Sequence, residues 1–578
     1  MMWYIDNPSR RRSEQQSLEA LSASVPWLTP VGWRNDEAAR LIWDADIHVS
    51  SETFPVFLRF PNHFPHSPPS VLPRGKEERW SIHQYGAGGE LCLEYGPDNW
   101  HPGISAADMI ASAYRLLHGE RPSPEEARAV ASRHDTSLGQ NLRGKFSRFV
   151  VTQELKDTLD GIPEIAVLAA KAIGLFHGDT LVNIVSSITM PDGMVWSATL
   201  PAPLKHGYER PIAVFRWPSN NTAPPTSSLK TFIAAVEPSG TRLSAVLYAL
   251  MVHGTRFRAY FLNSDDDTVS VVAVILPQVT AVRLDESHEA LRTKTVAIVG
   301  CGSLGSKVAT TLARSGVGRF LLVDDDIMLP DNVVRNDLDW RDVGMHKADA
   351  VAAKIQLVNA TAVCTRRNHR LGGQEASGTV ESLIETLAGC DLVIDATADP
   401  SVFNYLCAVV AVGQKPLLWA EVFGGGFGGL VARHRPSSDP DPASMRRGIE
   451  SWCAERDKPV ERPANRYGGG ASAPAIANDA DVGVIAAHAS RMAIDTLARE
   501  TASGFPHSVY IIGLSKGWIF NEPFETFPID LGPPPDSASQ EAVDRKDVAA
   551  EIQELVQLFK EHRDATYPSL AESEASSA

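Results

Sequence analysis

Asn332, Arg335 and Lys347 follow a glycine turn in an order that suits the handling of a triphosphate. The turn lies in KTVAIVGCGSLGSKVATTLARSGVGRFLLVDDD, where an apolar strand meets Gly300, Gly302 and Gly305, a helix follows, and a second strand ends in acid. Such glycines allow a tight turn, close approach of backbone to phosphate, and close packing of helix on strand. The helix N-terminus then offers unpaired N–H groups to an anion. Asp324 stands where a carboxylate accepts hydrogen bonds from ribose hydroxyls. That much would serve a dinucleotide equally well. Asp326, Asn332, Arg335 and Lys347 beyond it favour ATP, because a nicotinamide enzyme has no clear need of an arginine and a lysine there. An enzyme that releases pyrophosphate does, since charge must be neutralised as the leaving group departs.

The elements around this turn imply several domains. A chain of 578 residues is too long for one core and suggests about three or four domains. Its net charge of −16 argues against nucleic-acid or anionic-membrane partners. No apolar run reaches the length of a spanning helix, and MMWYIDNPSRRR lacks the apolar core of a signal peptide, so a cytoplasmic, soluble protein is expected. Six cysteines without a CxxC pair support neither a disulfide framework nor a tetrathiolate zinc site.

Early strands are expected in LIWDADIHV and TFPVFLRF, then a rigid extended FPNHFPHSPPSVLP, then a helix from Ser105 to Leu117. Residues 122–144 read as a charged helix or linker. Between 150 and 285, VTQELKDTLDGI and IAVLAAKAIGLF read as helical, and five later pieces, from LVNIVSSITM to VSVVAVIL, as strands. No nucleophile, metal cluster or phosphate loop stands out there, and a connecting role is expected. Asp481–Leu497 reads as a helix, SVYIIGLSKGWIF as two strands, and DVAAEIQELVQLFKEH as an amphipathic helix free to dock on the body or on a partner. The expected boundaries are 1–148, 149–286, 287–530 and 531–578.

FPNHFPHSPP, His83, GGELCLEY, Trp100-His101-Pro102 and the following helix resemble, in order and spacing, the ubiquitin-conjugating enzyme fold. The resemblance makes Cys92 the residue that carries a ubiquitin-like protein as a thioester. A thiolate suits the task, being a good nucleophile and a good leaving group. The plainer reading of Cys92 is a core thiol between Leu91 and Leu93. Where the family commonly has His-Pro-Asn, this chain has His83-Gln84-Tyr85. His83 keeps a structural or chemical role, and the oxyanion donor falls to Asn99 or to a backbone N–H.

Gly-x-Gly-x-x-Gly, Asp-x-Asp, Asn-x-x-Arg and Lys, in that order, resemble the adenylation domain of ubiquitin-activating enzymes and of the bacterial adenylyltransferases for sulfur carriers. The resemblance covers roughly residues 285–520 and implies ATP and Mg²⁺ as cofactors. In CDLVIDATADPSVFNYL it assigns the magnesium-binding carboxylate to Asp399, although the family more often has the acid where this chain has Ala398; Asp395 is the fallback. Asp399 also reads as a helix N-cap before Pro400. A nucleophilic cysteine belongs just before the Asp481 helix, where this chain reads Gly470-Ala471-Ser472-Ala473-Pro474. Three alternatives stand: Ala471 replaces the thiol, Ser472 acts as an oxyester-forming nucleophile with His488 a candidate base, or Cys453 swings in from a mobile loop.

The whole chain resembles bacterial fusions of a conjugating-like and a ThiF-type activating domain, as in CBASS anti-phage operons. The expected fold is α/β and α+β: a conjugating-like α+β domain, a mixed linker domain, and a Rossmann-like adenylation domain. The implied activity is adenylation of the C-terminus of a ubiquitin-like protein or of a partner such as a cyclic-nucleotide synthase. Transfer of the acyl group to Cys92 and then to a target amine follows, in a homodimer joined through the adenylation domain. The rival is a scaffold that binds ATP and a ubiquitin-like partner without acyl transfer, favoured by the missing loop thiol and the altered His-Pro-Asn.

Overall fold

The computed structural model describes residues 2–75, 80–81, 83–85, 88–120, 137–277, 286–456, 477–499, 503–534 and 545–566. The chain divides into two compact units, Met1–Gly144 and Lys145–Ala578.

In the first unit an antiparallel meander runs in the order β1 (Leu28–Asn35), β2 (Leu41–Val49), β3 (Glu52–Arg59) and β4 (Ser70–Pro73). LIWDADIHV and TFPVFLRF form β2 and β3 as expected. β4 emerges from the proline-rich segment at the sheet edge, where proline's missing N–H costs no ladder bond. Helix α1 (Pro8–Ser24) starts with proline at its first position, and α2 (Ala106–Gly119) is opened by a capping box between Ser105 and Asp108. The two helices are pinned together at a buried carboxylate. Glu14 accepts the Ala106 N–H at 2.6 Å and pairs with Arg10 at 2.7 Å. One apolar core, including Trp43, Phe60, Phe64, Leu91, Leu93 and Ile110, fills the space between sheet and helices.

The second unit opens with a closed sheet. Its strands are β7 (Ser147–Val150), β8 (Val167–His177), β9 (Thr180–Thr189), β10 (Val195–Ser197), β11 (Tyr208–Trp217), β12 (Tyr248–His253), β13 (Arg256–Asn263) and β14 (Thr268–Ile275); β5 (Gln84–Tyr85) and β6 (Glu90–Leu91) form a short hairpin in the first unit. The order β9-β7-β14-β13-β12-β11-β8 closes because β8 also pairs with β9. Helix α3 (Gln153–Asp160), expected from VTQELKDTLDGI, adds Leu155 and Leu159 to the interior.

IAVLAAKAIGLF, expected to be helical, is instead most of β8. Its alanines have high helix propensity, but Ala170 and Ala172 are the small inward residues that a narrow closed sheet needs, so packing overrides propensity. Strand β12, YALMVH, lay unnoticed in the sequence because it is apolar throughout and shows no alternation.

The last sheet runs β17-β16-β15-β18-β19-β20-β21-β22, with β15 (Thr295–Val299), β16 (Arg319–Val323), β17 (Val363–Arg367), β18 (Leu392–Asp395), β19 (Leu417–Val422), β20 (Gly428–His434), β21 (Val509–Gly513) and β22 (Thr526–Ile529). The first five are parallel. Helices α4 (Leu229–Val236), α5 (Ser303–Arg314), α6 (Lys347–Val358), α7 (Ser377–Ala388), α8 (Pro400–Gly413), α9 (Pro442–Glu455) and α10 (Asp479–Ala498) follow in chain order. α4 covers the outer face of the closed sheet. α5, α6 and α10 cover one face of the last sheet and α7, α8 and α9 the other, which explains its two cores. Of the two strands expected in SVYIIGLSKGWIF only β21 forms; Phe520 makes a single bridge to Gly517, and β22 lies further on. The terminal helix α11 (Arg545–Thr566) exposes Ile552, Leu555, Val556 and Phe559.

Among the described residues no helix is long and apolar enough to cross a membrane.

A buried ion pair ties α10 to the sheet. Arg433, 0% exposed, donates to Asp495 at 3.1 Å, Thr496 at 3.2 Å and Ser503 at 3.1 Å. Asp495→Ala strands that charge and is expected to cost about 3–5 kcal/mol in chemical denaturation. Burial pushes the Asp495 carboxyl up, but bonds from Ser503, the Gly504 N–H and Arg433 outweigh it and hold it below the ordinary value of 3.8. A depressed folded-state value means stability present above that pH and lost as pH falls through it. Unfolding scans should therefore show weakening below about pH 4, with a smaller pH slope in the alanine variant.

Candidate active site

The parallel strands have the order 3-2-1-4-5 counted from β15, so the strand order reverses between β15 and β18. Ligands of open α/β sheets bind beyond the carboxyl ends of the strands at such a reversal. Here the loops leaving those two strands meet. Gly300 has φ +90°, and a Cβ on it would lie 2.8 Å from Thr397 and 3.1 Å from the Ala396 backbone. Gly305 presses on Gly300, since a Cβ there would fall 1.8 Å from its carbonyl oxygen. Gly302, the residue before α5, has nothing within 4 Å of where a Cβ would stand. Two glycines are thus required by the protein's own packing, and the third fronts open space at a helix N-terminus.

Asp324 organises this turn from the end of β16. It accepts the Cys301 N–H at 2.6 Å and the Asp326 N–H at 2.8 Å, and burial outweighs those bonds and keeps its carboxyl above the ordinary value. Asp326 binds Lys347 twice, through the Lys347 backbone N–H at 2.9 Å and through the side-chain ion pair. Burial raises Asp326, but the Lys347 hydrogen bond and charge outweigh it and leave the carboxyl lowered. Lys347 itself is 6% exposed at the start of α6.

The loop carrying Asn332 and Arg335 is latched to the turn. Asn336 donates to the Cys301 carbonyl at 3.4 Å, and the Asp337 N–H donates to Ser306 Oγ at 3.2 Å. Asn332 Oδ1 accepts the Leu329 N–H at 3.1 Å. The Arg335 side chain is half-buried and has no hydrogen bond or ion pair among the described residues.

Lys307, which sequence reasoning missed, donates to the Arg335 carbonyl at 3.1 Å and pairs with Asp479 at 2.7 Å. It thereby joins α5, the Arg335 loop and the start of α10. Its place two residues beyond Gly305 was the available signal.

Asp395 and Asp399 end β18 and open α8, and both line a cavity with Ala398, Phe403, Trp419 and Glu421. Asp399 is an N-cap, accepting from the Ser401 N–H at 3.0 Å and its hydroxyl at 2.6 Å, and its other oxygen meets Arg370 at 3.3 Å. Asp395 accepts from Thr397 N–H at 2.9 Å and Oγ1 at 2.6 Å. Among the described residues no cluster of three ligating side chains occurs. Two hard carboxylates beside the glycine turn nevertheless fit Mg²⁺, which is commonly held by one or two carboxylates plus phosphate oxygens and water.

In the first unit Cys92 is half-exposed just beyond β6, and its N–H donates to the His83 carbonyl at 2.7 Å. His83 Nε2 stands 3.9 Å from Glu120. Gln84 accepts the N–H groups of Trp80 at 2.7 Å and Ser81 at 3.0 Å and donates to Gly89 at 2.8 Å. It organises the loop before the thiol. Trp100 Nε1 donates to the Pro65 carbonyl at 2.8 Å, joining the two proline-containing elements. The Asn99 side-chain amide closes its own turn, Oδ1 accepting the Gly96 N–H at 2.8 Å and one Nδ2 N–H donating to the Glu94 carbonyl at 2.9 Å.

Burial pushes the thiols of Cys364 and Cys390 up to about 11 and raises those of Cys301 and Cys407, so these four are held protonated. Cys453 lies in the last turn of α9, packed against an apolar core, rather than on a mobile loop. Ala471 and Ser472 lie outside the described residues. His488 is on α10, and burial lowers its imidazole below 6.5.

A doubly wound sheet with a glycine turn and an acidic loop meeting at its switch point defines a Rossmann-type α/β domain. Residues 277–440 match the model of the ThiF family, so the C-terminal region carries a ThiF domain. The uncharacterized protein y4qC of Sinorhizobium fredii is 26% identical over 419 residues, covering 66% of this chain and 70% of y4qC. The ATP-dependent ubiquitin transferase-like protein Cap2 of Pseudomonas aeruginosa is 29% identical over 142 residues, 22% of this chain and 24% of that protein. Cap2 of Escherichia coli is 27% identical over 279 residues, 46% of this chain and 44% of that protein. Each match thus spans less than half the length of the Cap2 protein concerned.

Proposed function

We propose that the chain adenylates the C-terminus of a ubiquitin-like protein, or of a partner such as a cyclic-nucleotide synthase, and conjugates it through Cys92 to a target amine in bacterial anti-phage defence. The observation that carries the proposal is the meeting of the Gly300 turn and the Asp395–Asp399 loop at the strand-order reversal, beside the Asp326–Lys347 pair.

The donor's carboxylate oxygen attacks the α-phosphorus of ATP, the bond to the β-phosphate oxygen breaks, and pyrophosphate leaves. Arg335 and Lys347 neutralise the departing charge, Asp324 fixes the turn that holds the phosphates, and the ribose rests against Asp324 or Asp326. Asp399, or Asp395 in its place, would hold Mg²⁺, which when bound would supply Lewis-acid neutralisation of phosphate oxygens. The Cys92 thiolate then attacks the acyl carbon and AMP leaves, either directly or after an intermediate on Ser472 or Cys453. Last, the target amine displaces the thiolate and loses a proton. The helix–meander–helix order of the first unit, with a half-exposed thiol between its short hairpin and α2, supports the conjugating-like assignment. ATP–pyrophosphate exchange in the presence of a candidate ubiquitin-like donor tests the adenylation step, and absence of exchange with every donor protein encoded beside this chain would count against it.

A scaffold is the second reading, favoured by Ala471 in place of a thiol and by Gln84 in place of proline. It predicts ATP and partner binding with no adenylate and no acyl adduct.

The adenylation domain also presents a surface suited to a second copy. Ile327, Leu329, Val334, Trp340 and Met345, on the segment that carries Asn332 and Arg335, are exposed, Val334 at 76% and Trp340 at 69%. Apolar side chains so concentrated mark an interaction surface. Val334→Arg with Trp340→Asp is expected to convert a dimer to a monomer in light scattering coupled to size exclusion. A wild-type chain that is already monomeric would contradict the assignment.

A further inference from the structure

The closed sheet of the second unit carries a polar site that the adenylation chemistry does not use. The strand directions bring the starts of β7, β9, β11, β12 and β14 and the finishes of β8 and β13 to one end. The interior is filled by apolar side chains, including Leu155 and Leu159 of α3, which follows the opposite end of β7. Phe149, Ala172, Val185 and Ile212 belong to that interior. Strand alternation therefore puts Ser147, Gly174, Asn183 and Arg210, two residues from each, on the same inward face.

Asn183 is 0% exposed; its Nδ2 donates to the Arg148 carbonyl at 3.3 Å, while its buried Oδ1 has no donor. Ser147 Oγ is likewise buried without a partner. In register, Asn183 opposes Gly174, and Gly174 opposes Tyr208. The Arg210 guanidinium occupies the room that Gly174 leaves, since a Cβ there would lie 2.7 Å from Nη2. It is stacked 5.3 Å from the ring centre of Tyr208 and 5.6 Å from that of Tyr248. Its Nε is buried without a partner, and no carboxylate among the described residues pairs with it. Buried polar atoms are nearly always satisfied in folded proteins. A cation, an acceptor and a hydroxyl left open together on one inward face are a built site.

We propose that this end of the closed sheet binds a carboxylate whose neighbouring carbon bears an N–H, the group shared by peptide C-termini and free amino acids. Arg210 takes the carboxylate in the planar geometry that guanidinium favours. Asn183 Oδ1 accepts the N–H, Ser147 Oγ donates to a carboxylate oxygen, and Tyr208 and Phe176, exposed at the same end, cover the apolar remainder. The site is independent of the adenylation proposal.

Isothermal titration of the full chain with N-acetyl-Gly-Leu, with free leucine and with N-acetyl-Gly-Leu amide tests it. At least one of the two acids binds, and which one does identifies the source; the amide binds at least about 10-fold more weakly, as expected when a charge-assisted bond is lost. Arg210→Met abolishes binding. So does Asn183→Asp, which keeps the side-chain shape while offering Arg210 an internal carboxylate. Arg335→Ala leaves binding unchanged, separating this site from the nucleotide site. The proposal is overturned if neither acid binds at millimolar concentration or if acid and amide bind alike. It is equally overturned if both Arg210→Met and Asn183→Asp bind as wild type, or if Arg335→Ala removes binding.

Discussion

Lys347→Met weakens ATP binding by about 10- to 100-fold, the range expected for loss of hydrogen bonds to a charged group. The substitution keeps the length and apolar stem of a side chain that is 6% exposed, so the start of α6 stays packed. What disappears is the cation that pairs with Asp326 among the described residues. Two carboxylates, Asp324 and Asp326, then stand near the triphosphate without that charge, and repulsion adds to the lost attraction. Isothermal titration with ATP and Mg²⁺ reads the effect without any acyl donor. Unchanged affinity would remove Lys347 from the nucleotide site. Lys307→Ala, in contrast, removes one of the ties on the Arg335 loop without touching the Asp326 pair, and should lower pyrophosphate exchange more than ATP affinity.

Cys92→Ala is expected to reduce conjugation by about 10³-fold or more, as loss of a nucleophile does elsewhere, while ATP–pyrophosphate exchange stays at the wild-type level. The split between the two readouts matters most. Under the proposed function, exchange uses the second unit and conjugation additionally uses a thiol that accepts and releases the acyl group. Leu91 and Leu93, buried on either side, fix the backbone there, so the small change at 92 leaves the first unit folded. If conjugation persists in the alanine variant, the acyl carrier lies elsewhere, with Cys453 and Ser472 next to be substituted.

The glycine turn, the acid at the end of β16 and the cations in the following loop could be picked out in the sequence because they are local, and the structure brings the turn, Asp324, Asp326 and Lys347 together. Lys307 was missed because its role comes from bridging to Asp479, far along the chain. Asp399 carried two readings in the sequence, and the structure shows its cap bonds and its contact with Arg370, a partner distant in sequence. The largest misreading concerned β8. A run of alanine, leucine and lysine favours a helix locally, and only ring closure, made by pairings of β8 with both β9 and β11, makes small inward residues the better choice. The Arg210 site was hidden for the same reason, since Ser147, Asn183 and Arg210 converge only when the sheet closes. The bonds that tie the Asn99 amide into its own turn were not legible in the sequence either.

Intact-mass and peptide mass spectrometry of the chain mixed with ATP, Mg²⁺ and a candidate ubiquitin-like protein tests the central proposal most directly. The predicted result is an ATP-dependent adduct of the donor's mass less one water, sensitive to thiol reductant and mapped to Cys92, together with release of AMP. ATP binding with no adenylate and no adduct on Cys92, Cys453 or Ser472 for any donor tested would contradict it and leave the scaffold in its place.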